Sequence, residues 1–434
     1  MLALALPVVI AELGWVSMQI VDTLIVGRLG ADAIGAVGLA SSLFIAAAVF
    51  AMGLLLGLDP LVAQAFGAGR IDECHHWLIA GVWLALLASL PIMAAVYAMN
   101  ASLSVWGLPA GVLVLAQPYL HVLNWSIPPL LLYVAFRRYL QAMNIVRPVT
   151  LTLVAANIVN AGANWILIFG HLGAPALGVR GSAFATLSAR ILMAAILFAV
   201  ILYHERRMSP RLSATPMAID TLRVRRLFQL GLPAAGQMVL EVGVFATASA
   251  LAARVSANAL AAHQIALNMA ALTFMVPYGL ASAAAVRVGQ AVGRRDPVGA
   301  IHAGWTAIAI GVAFMATAST VFLTMPGLLM RAFTADAAVI GTGIALLFVA
   351  AVFQLFDGVQ GVTTGALRGL GDTRTAMLWN LGAHWAVGLP LGYLLCFRLG
   401  YGVVGLWWGL STGLIICGVG LLAAWRRQGT RLAP

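Results

Sequence analysis

The sequence predicts an all-α polytopic membrane protein with twelve transmembrane helices in two parallel, pseudo-two-fold-related six-helix bundles. Three observations carry this. Of 434 residues, 62% are hydrophobic and only 9% charged, with a mean hydropathy of +1.01. An ordinary soluble domain carries about 25% charged residues, so a water-soluble globule is excluded. Twelve apolar runs are long enough to span a bilayer, and the second half of the chain repeats features of the first.

The apolar runs lie at about 2–28, 33–57, 77–99, 113–135, 149–169, 181–203, 228–252, 259–286, 299–324, 339–366, 376–397 and 403–425. The first begins at Leu2 without a basic leader or a small-residue cleavage signal, so it reads as a transmembrane helix and not a signal peptide. All 24 basic residues are arginine. Eighteen fall in alternate connections: Arg70; Arg137, Arg138 and Arg147; Arg206, Arg207, Arg211, Arg223, Arg225 and Arg226; Arg287, Arg294 and Arg295; Arg368 and Arg374; and Arg426, Arg427 and Arg431. The opposite side has five, and Arg190 alone lies within a span. Positive loops stay cytoplasmic, which predicts both termini and the central loop inside.

The stretch from His204 to Arg226, with Pro210 and Pro216, is the longest polar segment and reads as a linker. It sets expected boundaries of 1–203 for an N-lobe, 204–227 for a cytoplasmic linker, 228–425 for a C-lobe and 426–434 for a cytoplasmic tail. A shift of 226 residues aligns Leu6–Gly67 with Leu232–Gly293 without a gap, giving 14 identities in 62 positions. Leu6-Pro7 meets Leu232-Pro233, Arg28 meets Arg254, and Gly53-Leu54 meets Gly279-Leu280. Further along, Asn160 and Trp165 meet Asn380 and Trp385, which sets His384 opposite Asn164. An even number of spans makes such repeats parallel, as in secondary transporters that bind cargo between their halves.

Charges within a bilayer are costly and mark functional candidates. Five acids lie within the spans: Glu12, Asp22, Asp59, Glu241 and Asp357. Asp22 shares its half with Asn160 and Asn164, one turn apart on one helix face, and with the Thr186 hydroxyl. A carboxylate with amide and hydroxyl oxygens suits a small hard cation, and the carboxylate can instead take a proton. Glu241 and Asp357 are the acidic features of the second half, with cation coordination, proton carriage and pairing to a cationic substrate all open to them. Asp59, before Pro60, reads as a solvated or helix-end group, and Glu12 as pointing away from Asp22. Arg190 can neutralise one of the acids, snorkel, or bond a backbone carbonyl. His384 and His263 are either proton carriers or simply hydrogen-bonded. Trp15, Phe44, Tyr278, Phe353 and Trp385 are aromatics that, beside carboxylates, suit flat lipophilic cations.

No phosphate-binding loop, zinc motif or nucleophile elbow occurs, so neither ATP hydrolysis nor membrane enzymology is indicated and no cofactor is expected. Cys74, Cys396 and Cys417 are too scattered for a disulfide framework or metal knuckle. With the arginines set between apolar runs, the basic balance is topological and no nucleic-acid partner is expected. Membrane lipids are the surrounding partner, and nothing requires more than a monomer.

Val21-Asp22-Thr23, Val62-Ala-Gln-Ala-Phe-Gly-Ala-Gly69, Ala261-Ala-His-Gln-Ile265 and Gly365-Ala-Leu-Arg-Gly369 complete the pattern. With two repeats each opened by Leu-Pro, the chain resembles the multidrug and toxic compound extrusion (MATE) family, within it the bacterial NorM branch. The resemblance covers essentially the whole chain. It implies an antiporter that exports cationic amphipathic drugs or dyes in exchange for H⁺ or Na⁺. It also implies an N-lobe ion site at Asp22, Asn160, Asn164 and Thr186, and a C-lobe ion or substrate site at Glu241 and Asp357. Phe353 stands where sodium-coupled members tend to carry a tyrosine, which removes an oxygen ligand and shifts the expectation toward protons. The alternative is a flippase for a lipid-linked or oligosaccharide precursor. That activity calls for several arginines around the cavity, whereas five acids against one arginine favour cationic cargo.

Overall fold

The computed structural model describes residues 1–206 and 211–432, so Arg207 and Pro210 of the expected linker and the last two residues of the expected tail lie outside the described residues. The first half runs through α1 (Leu2–Val26), α2 (Ala31–Leu54), α3 (Leu58–Gly67), α4 (Ile71–Ser102), α5 (Ala110–Asn124), α6 (Ile127–Ala142), α7 (Arg147–Phe169) and α8 (Val179–Glu205). The second runs through α9 (Thr221–Val255), α10 (Ala257–Gly293), α11 (Pro297–Thr324), α12 (Pro326–Arg331), α13 (Ala337–Gly369), α14 (Arg374–Asn380), α15 (Leu389–Tyr393) and α16 (Gly402–Leu432). No strand occurs among the described residues.

Among the described residues, ten unbroken or gently joined helices are long and apolar enough to cross a membrane, or eleven when α5 and α6, bent by 47°, are counted as one span. The twelfth segment is a continuous helical run from Arg374 to Arg398, in which α14 and α15 alternate with π-helical turns at Leu381–Gly388 and Leu394–Arg398. Pro390 explains the widened turns before it. Its ring would collide with the carbonyl four residues back, and it has no N–H to donate. Outward-facing Leu24, Leu90, Leu151 and Ile158 are each at least two-thirds exposed, which suits lipid and not water.

Three boundaries differ from the sequence expectation. The fourth span is not one helix over 113–135. It breaks at Trp125 and Ser126, ahead of Pro128 and Pro129, which have no N–H to donate to the carbonyls of the preceding turn and so sit at the start of a new helix. The second span continues past a 3₁₀ turn at Leu55–Gly57 into α3, which carries Asp59 into the interior at 1% exposure. Asp59 is therefore buried and not solvated. Finally, α9 begins at Thr221, inside the expected linker, and α16 stays helical through Leu432.

The chain divides into two compact units, one of Ile10–Ala235 and one of Gly236–Pro434 together with Met1–Val9. Each unit thus takes the opening segment of the helix that begins the other repeat. The duplicated glycines show why. An added Cβ on Gly53 would meet the Ala235 backbone in the first unit, and on Gly279 the Val9 backbone in the second. Gly53 and Gly279 are equivalent under the 226-residue shift, and so are Val9 and Ala235. The same backbone-close contact has been built twice, as small residues allow between membrane helices. In the second unit Gly388 and Gly392 face Gly409 and Gly413 in the same manner.

Gly53→Val and Gly279→Val are each expected to cost about 1–3 kcal/mol through overpacking, read as a lowered melting temperature in detergent. Gly38→Val, where an added carbon meets nothing within 4 Å, is expected to leave it unchanged.

The connection between α9 and α10 is the single residue Ser256, whose hydroxyl accepts from the Ala259 N–H at 3.0 Å and caps α10. Its repeat equivalent, Gly30, makes the corresponding turn with φ 109°, open to glycine alone without strain.

Candidate functional site

In the first unit, α1 carries Asp22, α7 presents Asn160 and Asn164, and α8 presents Thr186; all four are buried. The Asn164 Nδ2 donates to Asp22 Oδ1 at 2.7 Å and the Thr186 hydroxyl to Asp22 Oδ2 at 3.3 Å. The same Asn164 amide lies 3.2 Å from Asn160 Oδ1, so the two asparagines are linked as their one-turn spacing requires. Asn164 Oδ1 and the hydroxyl of Ser182, one turn before Thr186, are buried without a hydrogen-bond partner among the described residues. The four residues singled out in the sequence are therefore brought together around one carboxylate. Ser182 is an addition that its small size and helical spacing alone could have suggested.

The other two acids of this unit are spoken for. Glu12 forms an ion pair with Arg137, and Asp59 lies 3.5 Å from Arg138, with all four residues buried. Arg137 and Arg138, which the charge alternation assigned to a cytoplasmic connection, are instead interior residues of α6. Burial of a charge is tolerable only with a partner, and two acids opposite an Arg-Arg pair supply it. Arg190 makes no salt bridge to an acid and no bond to a backbone carbonyl among the described residues, although its charge reaches Asp22. Its guanidinium donates to the Ser126 hydroxyl at 2.5 Å and lies 4.5 Å from the Phe44 ring and 6.0 Å from that of Trp15. The balance of five interior acids to one arginine is thereby corrected: the acids without a guanidinium partner among the described residues are Asp22, Glu241 and Asp357.

In the second unit, Asp357 is buried on α13 and feels the charge of Glu241 on α9. Neither carboxyl makes a side-chain hydrogen bond or ion pair among the described residues. Arg368, eleven residues further along α13, is about 16 Å away by helical rise and does not pair with Asp357. Phe353 packs in an aromatic cluster, with ring centroids 6.3 Å from Phe245 and 5.8 Å from Trp407. Tyr278 is half-buried beside Phe274 at 6.3 Å and makes no hydrogen bond to either acid among the described residues. Asn380 and His384 are buried, and neither side-chain amide atom of Asn380 has a hydrogen-bond partner among the described residues. The position equivalent to Asp22 is Ala248. The second repeat thus retains the Asn160 equivalent but carries its acids elsewhere.

His263 resolves to a hydrogen-bonded interior residue. Trp407 Nε1 donates to His263 Nδ1 at 2.9 Å, which leaves Nε2 to carry the proton and donate to Ser249 Oγ, also at 2.9 Å. Ser249 in turn donates to the Phe245 carbonyl at 3.0 Å. This chain ties α9, α10 and α16 together with every polar atom used. Trp407→Phe removes the donor while keeping a ring. It is expected to destabilise by about 1–3 kcal/mol and to lower the melting temperature more than Ser249→Ala does.

The MatE family matches the chain twice, over residues 7–166 and 233–394. The starts of the two matches are separated by the same 226 residues as the internal repeat. The chain is 39% identical, over all of its length and 94% of the relative's, to a probable multidrug resistance protein NorM of Mesorhizobium japonicum. It is 37% identical to the protein of that description from Bradyrhizobium diazoefficiens, over 99% of this chain and 93% of that one. Among solved structures, the eukaryotic MATE transporter AtDTX14 superposes with a TM-score of 0.88 at 20% identity, covering 99% of this chain and 97% of that one. A MATE protein in complex with MaL6 gives 0.91 at 19% identity, covering 99% and 96%.

Proposed function

The chain belongs to the MatE family of multidrug efflux transporters, and from that premise we propose that it exports cationic amphipathic compounds across the bacterial inner membrane in exchange for H⁺ or Na⁺. The observation that carries the coupling is the contrast among its buried acids. Glu12 and Asp59 are matched by Arg137 and Arg138, whereas Asp22 makes no salt bridge among the described residues: its oxygens are held by the side chains of Asn160, Asn164 and Thr186, and Arg190 acts on it only at a distance. Neutral donors orient a carboxylate without cancelling its charge, so Asp22 stays free to take an exchangeable cation.

Binding a proton turns one Asp22 oxygen from acceptor to donor and removes its charge. Binding Na⁺ uses the carboxylate with Asn160 Oδ1, Asn164 Oδ1 and Thr186 Oγ as oxygen ligands. Either event changes which donors face which acceptors between α1, α7 and α8. An ion that binds one conformation better than another shifts the population toward it, which is what alternating access requires. In the second unit, Glu241 and Asp357 have no arginine partner among the described residues and, when ionised, are the natural attraction for a cationic substrate. The Phe353 cluster offers no hydroxyl there, which favours protons over sodium at that pair. Arg137, Arg138 and Arg190 are taken up by Glu12, Asp59 and Ser126, which speaks against the phosphate-binding cavity a flippase needs. Both termini on the cytoplasmic side, the lobe limits read from the sequence and a monomeric state belong to this reading, and it needs no cofactor.

The test is efflux of a fluorescent cation from proteoliposomes holding the full-length protein, with a pH gradient and a sodium gradient imposed separately. Efflux under either gradient alone identifies the coupling ion. Efflux under neither overturns ion exchange.

A further inference from the structure

A groove of about 670 Å³ runs along α14 and the C-terminal half of α16. One end is apolar, lined by Trp379, Ile415 and Val419; the other is polar, lined by Arg427, Gln428 and Arg431. We propose that this groove binds an anionic phospholipid of the arginine-rich leaflet, with its phosphate on Arg427 and Arg431 and an acyl chain along Trp379, Ile415 and Val419.

Spacing, charge and length all support this occupant. Arg427 and Arg431 are one turn apart and so project on one face of α16. Both are exposed, and neither makes an ion pair among the described residues. Arg426 belongs to another face, with its guanidinium 5.8 Å from the Trp305 ring. The one carboxylate at the groove, Asp372, is engaged at the start of α14: it accepts from the Thr375 N–H at 3.1 Å, the Thr375 hydroxyl at 2.7 Å and Gln428 Nε2 at 3.5 Å. Its oxygens are thus occupied by neutral donors while its charge remains, so two guanidinium groups against one carboxylate leave the polar end net positive, and the guanidinium groups are free to bind a phosphate in a fork. From Ile415 to Arg427 the helix rises about 18 Å, close to the roughly 15 Å hydrocarbon depth of one leaflet. A free anion would have no use for the apolar half of the groove. Basic pockets between membrane helices at the cytoplasmic surface are suited to anionic headgroups. The drug and ion sites take no part in this argument, which rests only on the leaflet assigned by the arginine distribution.

The test titrates the delipidated full-length protein in detergent with dioleoyl phosphatidylglycerol, dioleoyl phosphatidylcholine and inorganic phosphate, and counts bound molecules by native mass spectrometry. Wild type is expected to hold one phosphatidylglycerol in preference to phosphatidylcholine. The double variant Arg427→Gln/Arg431→Gln is expected to bind it about thirtyfold more weakly. Val419→Trp, which fills the apolar end without changing charge, is also expected to weaken binding, and Arg426→Gln to leave it within about twofold. The melting temperature without lipid checks that each variant folds, as the exposure of these positions predicts. Equal binding of phosphatidylcholine, an equal loss with Arg426→Gln, or displacement of the lipid by millimolar phosphate would each overturn the proposal.

Discussion

Asp22→Asn is expected to reduce gradient-driven efflux of a fluorescent cation to the level of empty liposomes, a loss of about tenfold or more, with expression and melting temperature unchanged. The substitution keeps the shape and most of the hydrogen bonding. The new carbonyl oxygen still accepts from Asn164, which donates at 2.7 Å in the wild type. The new amide can donate to Thr186 once that hydroxyl turns to the Ser182 carbonyl, already 3.1 Å away. Only the titratable charge is lost. A site with the same charge in every conformation gives the ion gradient no difference in affinity to act through. Undiminished gradient-driven efflux would sink the assignment of coupling to Asp22. Glu241→Gln, measured beside it, locates the alternative: loss with Glu241→Gln alone would put coupling in the second unit.

The largest effect on stability is expected from Glu12→Ala. It leaves Arg137 inside the first unit without its carboxylate, and removing one partner of a buried pair costs about 3–5 kcal/mol. At roughly 2–4 °C per kcal/mol for a unit of this size, the melting temperature in detergent should fall by about 10 °C. Glu12→Met with Arg137→Leu should recover most of the loss, because neither position then leaves a buried charge without its partner. The partly exposed pair of Arg223 and Glu73, at 3.0 Å, supplies the contrast. Solvent screens it, and Glu73→Ala should cost no more than about 1 kcal/mol. A Glu12→Ala effect as small as that of Glu73→Ala would show that Arg137 finds other partners or water.

The difference between these two acids could not be read from the sequence. Hydropathy and charge alternation record how often each residue type occurs along the chain, and α6 carries Phe136-Arg-Arg-Tyr139 in its last two turns, which has the look of a helix end entering a basic loop. Whether those guanidinium groups face water or Glu12 and Asp59 depends on residues about 80 to 125 positions away. The same limit applied to Asp59. Its helix continues past a 3₁₀ turn that no hydropathy window resolves, and the continuation changed a solvated group into a buried one.

The sequence by itself determined the membrane class, the duplication and the shared helix face of Asn160 and Asn164, while the joining of these to Asp22 and Thr186 was implied by the family resemblance and made by the fold. Membrane class, duplication and shared face each follow from a local or periodic property: apolar length set against bilayer thickness, identity at a constant offset, and one helical turn between two asparagines. Tertiary structure alone decided how each buried charge is satisfied. It gave Arg137 and Arg138 to acids and Arg190 to a hydroxyl, made His263 a fully bonded structural residue, and exchanged the opening segments of α1 and α9 between the two units. The physical reason is that helix formation in a bilayer is imposed by backbone hydrogen bonding wherever the chain is apolar. The partner of an interior charge, by contrast, is fixed only when distant helices close around it.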